Sequence, residues 1–132
     1  MKNRYAFIVD DEESVRNALQ RGLRRWAREA ELTIVTFGSA QETLQAVEID
    51  SDSIRIILSD LRMPQMDGLT LLKLINSKYP SIPGILLTGN IDIESIASKN
   101  SPGVFALVEK PWEQEILIDA LNRALEYRAE RF

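Results

Sequence analysis

The sequence predicts an α/β domain built on a parallel sheet, and two observations carry that prediction. Five short apolar, partly β-branched runs have the length and composition of strands: "YAFIVD" (5–10), "LTIVTF" (32–37), "IRIILSD" (54–60), "GILLTG" (84–89) and "VFALVE" (104–109). Segments with apolar residues at helical spacing separate them, so strand and helix alternate five times, a (βα)5 pattern. Such alternation implies right-handed crossovers between parallel strands, with helices on both faces of a three-layer sandwich. The near-continuous aliphatics of the third and fourth runs fit central, doubly covered strands.

The helices follow in order. Val15, Leu19, Leu23 and Trp26 recur at helical spacing and give the first segment one apolar face. Arg16, Arg21, Arg24, Arg25 and Arg28 mostly line its polar side, which reads as a solvated face. Ser39 with Glu42 three residues on makes a capping box ahead of Leu44 and Val47. "EIDSDS" (48–53) is a polar loop and not a domain boundary. Leu69, Leu72 and Ile75 mark a third helix that closes before Pro80. Ile93, Ile96 and Ala97 mark a short fourth, ended by "KNSPG" (99–103). Leu117, Leu121 and Leu125 mark a fifth from about residue 112, behind Pro111 and with Trp112 packing at its start. Its end, 126–132, continues the helical pattern as a linker or as the start of a dimer seam.

A chain of 132 residues is expected to form one domain over its whole length. The absence of cysteine excludes disulfides, thiolate zinc sites and a cysteine nucleophile. The absence of histidine excludes an imidazole base, a histidine metal site and a phosphohistidine within the chain. A net charge of −4 and a pI near 4.9 argue against direct nucleic-acid binding by this domain. No apolar run approaches the ~20 residues of a membrane span, and "MKNRYAFIVDDEE" lacks the long apolar stretch of a signal peptide. The expectation is a cytoplasmic domain without membrane association. The chemistry left to it is that of carboxylates, hydroxyls, lysine and a hard cation.

Ligands of open parallel sheets bind outside the carboxyl ends of the strands. Those ends carry Asp10, Asp11 and Glu12 after the first strand, Asp60 after the third, Thr88 after the fourth and Lys110 after the fifth. The second strand ends in "TFGS" (36–39), with nothing reactive. Carboxylates held together repel one another, and a hard divalent cation such as Mg²⁺ relieves this. A carboxylate can also attack phosphorus to give an acyl phosphate, with lysine and hydroxyl neutralising the developing charge. The plainer readings are that Asp10 and Asp11 merely end a strand, with Ser14 capping the next helix, and that Asp67 and Gly68 form a turn and helix start.

In four pieces the chain resembles the receiver domain of two-component response regulators, the CheY-like group. They are "VDDEE" (9–13), "SDLRMPQMDG" (59–68), "LLTGN" (86–90) and "EKPW" (109–112), in family order over about residues 4 to 128. The resemblance implies a flavodoxin-like fold of strand order 2-1-3-4-5. It implies that Asp60 accepts a phosphoryl group from a sensor histidine kinase or histidine phosphotransfer protein. Asp11 and Asp60 would ligate Mg²⁺ (or Mn²⁺) with the backbone carbonyl of Arg62, and Asp10 would bind directly or through metal waters. Thr88 and Lys110 would hold the phosphoryl oxygens, Gly89 and Asn90 would flank the site, and the Lys110–Pro111 peptide would be cis. The domain would catalyse only its own phosphorylation and dephosphorylation, without turning over a small molecule. It would act as a signalling switch whose fourth helix, fifth strand and fifth helix change surface and could carry a homodimer, and its first helix would be a docking face for the kinase.

One position departs from the family pattern. Leu107 stands three residues before the lysine, where the family often has Tyr or Phe. Strand alternation puts Phe105 on the same face as Leu107. The departure keeps open an alternative, a non-phosphorylated pseudo-receiver that serves as a protein interaction module. A haloacid-dehalogenase-type hydrolase fits less well, because it needs "DxD" where this chain has "DDE" (10–12).

Overall fold

Strands β1 (Tyr5–Val9), β2 (Thr33–Phe37), β3 (Ile54–Asp60), β4 (Gly84–Thr88) and β5 (Val104–Glu109) pair in parallel in one sheet of order β2-β1-β3-β4-β5. These elements come from a computed structural model that describes residues 3–89, 93, 96 and 101–132. Helices α1 (Glu13–Gly22), α2 (Arg24–Glu29), α3 (Ala40–Ile49), α4 (Gly68–Lys78) and α5 (Gln114–Arg131) complete the described elements, with a 3₁₀ turn at Ser51–Ser53 inside the polar loop. Ile93 and Ile96, two markers of the predicted fourth helix, are helical, and Ile96 is buried. Ala97 and Asn90 lie outside the described residues. The architecture is the flavodoxin-like α/β sandwich that the sequence predicts, and no helix among the described residues is long and apolar enough to cross a membrane.

The sheet separates two apolar clusters, as alternation along buried strands requires. On one face Ala6, Ile8, Ile56, Leu58, Ile85, Leu87 and Val108 meet Leu19, Leu23 and Trp26 of the α1–α2 segment and Leu117, Leu121 and Ala124 of α5. On the other, Phe7, Val9, Ile54, Ile57 and Leu86 meet Val47 of α3 and Leu71, Leu72 and Ile75 of α4. Each fully buried aliphatic of this kind contributes about 1.5–3 kcal/mol, and β3 and β4 form the buried centre of the sheet. Trp112 packs against the first cluster at the start of α5, where the sequence places it.

Three features differ from the sequence reading. The first helical segment is two helices, with Leu23 between them at φ −100°, ψ 3°. The break falls after Gly22, a weak helix former, whose carbonyl accepts a hydrogen bond from Gln114 Nε2 at 2.6 Å. The apolar face continues through it, because Leu19, Leu23 and Trp26 are all buried. Trp26 is also tied to α5, its Nε1 donating to Asn122 Oδ1 at 2.8 Å.

Second, Ser14 does not cap α1. It lies inside the helix, and Asp10 Oδ1 instead accepts from the Glu12 amide at 2.9 Å. Ser39 and Asp67 do cap α3 and α4, accepting from Glu42 N at 3.2 Å and Thr70 N at 2.8 Å.

Third, two register shifts break the strict alternation. The β1–β3 pairing steps from Tyr5↔Ile54 to Ala6↔Ile56, so Arg55 is an extra residue in β3. The β4–β5 pairing steps from Gly84↔Val104 to Ile85↔Ala106, which leaves Phe105 as the extra residue in β5. Phe105 therefore does not follow Leu107. Leu107 packs against the α3–α4 cluster, while the Phe105 ring lies 5.3 Å from that of Tyr127 on α5.

Candidate functional site

Strand order makes the carboxyl ends of β1, β3, β4 and β5 consecutive neighbours, and their terminal polar residues gather at one edge. Three of these residues are buried although polar: Asp10 is 1% exposed, Asp60 6% and Thr88 1%. Burial of this kind demands partners. For Asp60 the partner is Lys110, whose Nζ donates to Oδ1 at 2.7 Å. Lys110 is fixed in turn by its amide, which donates to the Thr88 carbonyl at 2.8 Å, and it precedes Pro111 through a cis peptide. Among the described residues the Thr88 hydroxyl has only a long contact, 3.4 Å to the Gly89 carbonyl.

Asp10 is only half satisfied. Its Oδ1 takes the Glu12 amide, and its Oδ2 is buried without a hydrogen-bond partner among the described residues. Burial raises its pKa above the ordinary carboxylate value. The Glu12 amide opposes this, Asp60 adds to it, Lys110 opposes it, and Asp11 adds to it again. Asp10, Asp11 and Glu12 can each offer a carboxylate oxygen within 4.8 Å of the others, with Asp11 and Glu12 exposed at the rim. An unpartnered buried oxygen beside two exposed carboxylates is a donor set that fits a hard divalent cation.

The residues named from the sequence are thus distributed unevenly. Asp60 and Lys110 meet directly, Asp10 and Thr88 are buried at the neighbouring strand ends, Asp11 stands at the rim, and Arg62 is exposed two residues beyond Asp60. Asp60 lies outside the mutually adjacent carboxylate group and is engaged by Lys110 instead. Glu12 belongs to that group. The sequence reading gave it no role, although its place in the acidic run 10–12 was a signal.

Two further contributors carried no sequence signal. Arg16 Nη1 donates to the Asp10 carbonyl at 2.7 Å, and the buried Ser59 hydroxyl donates to the Asp60 carbonyl at 2.9 Å. Gly68 closes the loop after Asp60, its amide donating to the Leu61 carbonyl at 2.8 Å. A Cβ there would collide with the Asp60 carbonyl and lie 2.8 Å from Ser59 Oγ, so α4 can approach the strand end only through glycine.

Buried carboxylates, lysine and hydroxyl at the carboxyl edge of a 2-1-3-4-5 sheet define a class, and the comparison with known proteins agrees. The model of the response regulator receiver domain family matches residues 6–122, and the chain belongs to that family. It is 35% identical over 131 residues to the DNA-binding transcriptional regulator NtrC of Klebsiella pneumoniae, an alignment covering 99% of this chain and 27% of that protein. It is 35% identical over 122 residues to the C4-dicarboxylate transport transcriptional regulatory protein DctD of Rhizobium meliloti, covering 92% and 25%. The chain spans about a quarter of the length of these curated relatives.

Among solved structures, the signal receiver domain of an HD domain-containing protein from Pseudomonas fluorescens Pf-5 matches with a TM-score of 0.83 at 32% identity, covering 98% of this chain and 100% of that one. A response regulator receiver domain protein from Clostridium thermocellum matches at 0.86 and 23% identity over 98% and 99%, a likeness of fold alone.

Proposed function

We propose that this receiver domain is a phosphorylation-dependent switch in which Asp60 accepts a phosphoryl group from the phosphohistidine of a histidine kinase or phosphotransfer protein. The observation that carries the reading is the buried Asp60 carboxylate held by Lys110 at 2.7 Å, with buried Asp10 at the adjoining strand end. An Asp60 oxygen forms the new bond to phosphorus as the phosphorus–nitrogen bond to the partner's imidazole breaks. The Lys110 ammonium moves from the carboxylate to a phosphoryl oxygen, and the Thr88 hydroxyl donates to another. Asp10 and Asp11, with Asp60 and the carbonyl of Arg62 completing the set, would hold Mg²⁺ or Mn²⁺, which supplies charge neutralisation at the phosphoryl group. No small molecule is turned over, and the product is a changed surface that a partner reads.

The test is direct. Incubation with Mg²⁺ and acetyl phosphate should add one phosphoryl group to the intact mass, and beryllofluoride should change the fluorescence of Trp112, two residues from Lys110. Asp60→Asn should abolish both responses. A wild-type chain that gains neither would be a pseudo-receiver that keeps the fold as an interaction module.

A further inference from the structure

At the other end of the strands three arginines stand on neighbouring elements, near enough for Arg55 and Arg4 to act electrostatically on Arg128. Arg4 immediately precedes β1, and Arg55 is the extra residue of β3, beside the Tyr5–Ala6 step of β1. Arg128 belongs to α5, whose Leu121 and Ala124 pack on the α1–α5 face of the sheet. The Nε of Arg128 is buried and makes no hydrogen bond among the described residues. Burial first, then Arg55 and Arg4, lower the pKa of Arg128.

The neighbours offer little neutralisation. Arg4 reaches Glu31 only at 3.8 Å, and that glutamate side chain is 83% exposed. Arg55 Nη1 donates to the carbonyl of Asp52 at 2.7 Å, a neutral acceptor. A buried N–H without an acceptor, among like charges, is a cost with no return among the described residues. An anion seated among the three groups offsets their like charge.

We propose that Arg4, Arg55 and Arg128 form a binding site for a small oxyanion of the phosphate class, separate from the phosphoacceptor edge. Guanidinium presents its donors as a planar fork that engages two oxygens at once. A phosphate has enough oxygens to satisfy more than one such fork, whereas a monocarboxylate fills one. Free inorganic phosphate and a phosphate monoester share this chemistry, and the measurement separates them.

The experiment uses the whole chain, without divalent cation and at constant ionic strength, and follows the arginine Nε–Hε resonances by NMR. Inorganic phosphate should displace the Arg128 signal saturably and raise the melting temperature, while chloride should do neither. A tighter response to glycerol phosphate assigns the site to monoesters, and an equal or weaker one assigns it to the free anion. Arg128→Gln and Arg55→Gln should each weaken binding tenfold or more, as read from the melting-temperature titration and the remaining arginine signals. Arg55 is only partly buried, so its variant keeps the test valid if the Arg128 variant folds poorly. An Arg128 signal that never saturates, or variants that bind phosphate as the wild type does, would overturn the proposal.

Discussion

At the scale of single residues, Asp10 has the plainest consequence. It is a buried carboxylate with one oxygen unpartnered, held in place by its neighbours. Asp10→Asn should therefore stabilise the metal-free domain by about 1–3 kcal/mol, measured by denaturant unfolding in a chelator. Its raised pKa means that the fold binds the proton more tightly than the unfolded chain does. That contribution is fully present below the ordinary value and is lost as pH rises through the folded one. The advantage of Asp10→Asn over wild type should thus widen as pH climbs from about 4 towards neutrality. A gap independent of pH would contradict burial as the cause.

Gly68→Ala should cost about 1–3 kcal/mol in the same assay, because the added Cβ must push α4 away from the Asp60 carbonyl. It should also slow acetyl-phosphate labelling, since Asp60 shifts with its backbone. At this scale the sequence was most informative where chemistry has few options. Asp60 and Lys110 stood out because reactive groups ended apolar strands. Arg16, Ser59 and Arg128 did not, because their roles come from contacts between segments distant in sequence, and each resembles an ordinary solvated side chain.

At the scale of elements, the strands lie within one residue of their apolar runs, because burial on both faces leaves a strong compositional mark. What stayed hidden was irregularity. The break at Leu23 leaves no trace in the apolar spacing, since the buried face runs straight through it. The extra residues Arg55 and Phe105 carry no glycine or proline to announce them, so alternation counted through Phe105 assigns it to the wrong neighbours.

The break also makes α5 the anchor of the first helical segment. Asn122→Ala would strand the Trp26 indole N–H and should cost about 1–3 kcal/mol. Gln114→Ala, which frees a carbonyl that water can reach, should cost about 0.5–1.5 kcal/mol. Urea midpoints should fall in that order with an unchanged m-value. A larger loss at Gln114 would mean that the break depends on this hydrogen bond and not on Gly22.

At the scale of the whole molecule, strand order decides where charge can collect. Alternation of strands and helices predicts a parallel sheet but not the order of its strands, and the order was legible only through the four family motifs taken together. With β1 between β2 and β3, the acidic edge spans β1 and β3 while β2, which ends without a reactive group, stays outside it. If that edge holds Mg²⁺ in the native state alone, saturation to about 100 times Kd should stabilise the fold by ~2.7 kcal/mol, a rise in Tm of roughly 10 °C. Scanning calorimetry across millimolar Mg²⁺ measures this, and an unmoved transition would remove the cation from the proposed chemistry.

The irregularity at Phe105 has a consequence for solubility. β5 closes one side of the sheet, and a regular outer strand offers its unpaired amides and carbonyls as a template for another chain. The extra residue puts that outer backbone out of step early in the strand, so an incoming strand finds fewer consecutive groups it can match. The exposed Phe105 ring leans on Tyr127, and Arg131 sits 4.5 Å from that tyrosine ring, which places a positive charge beside an otherwise greasy margin. An irregular strand should therefore be a poorer template for another chain than a regular one at the same margin.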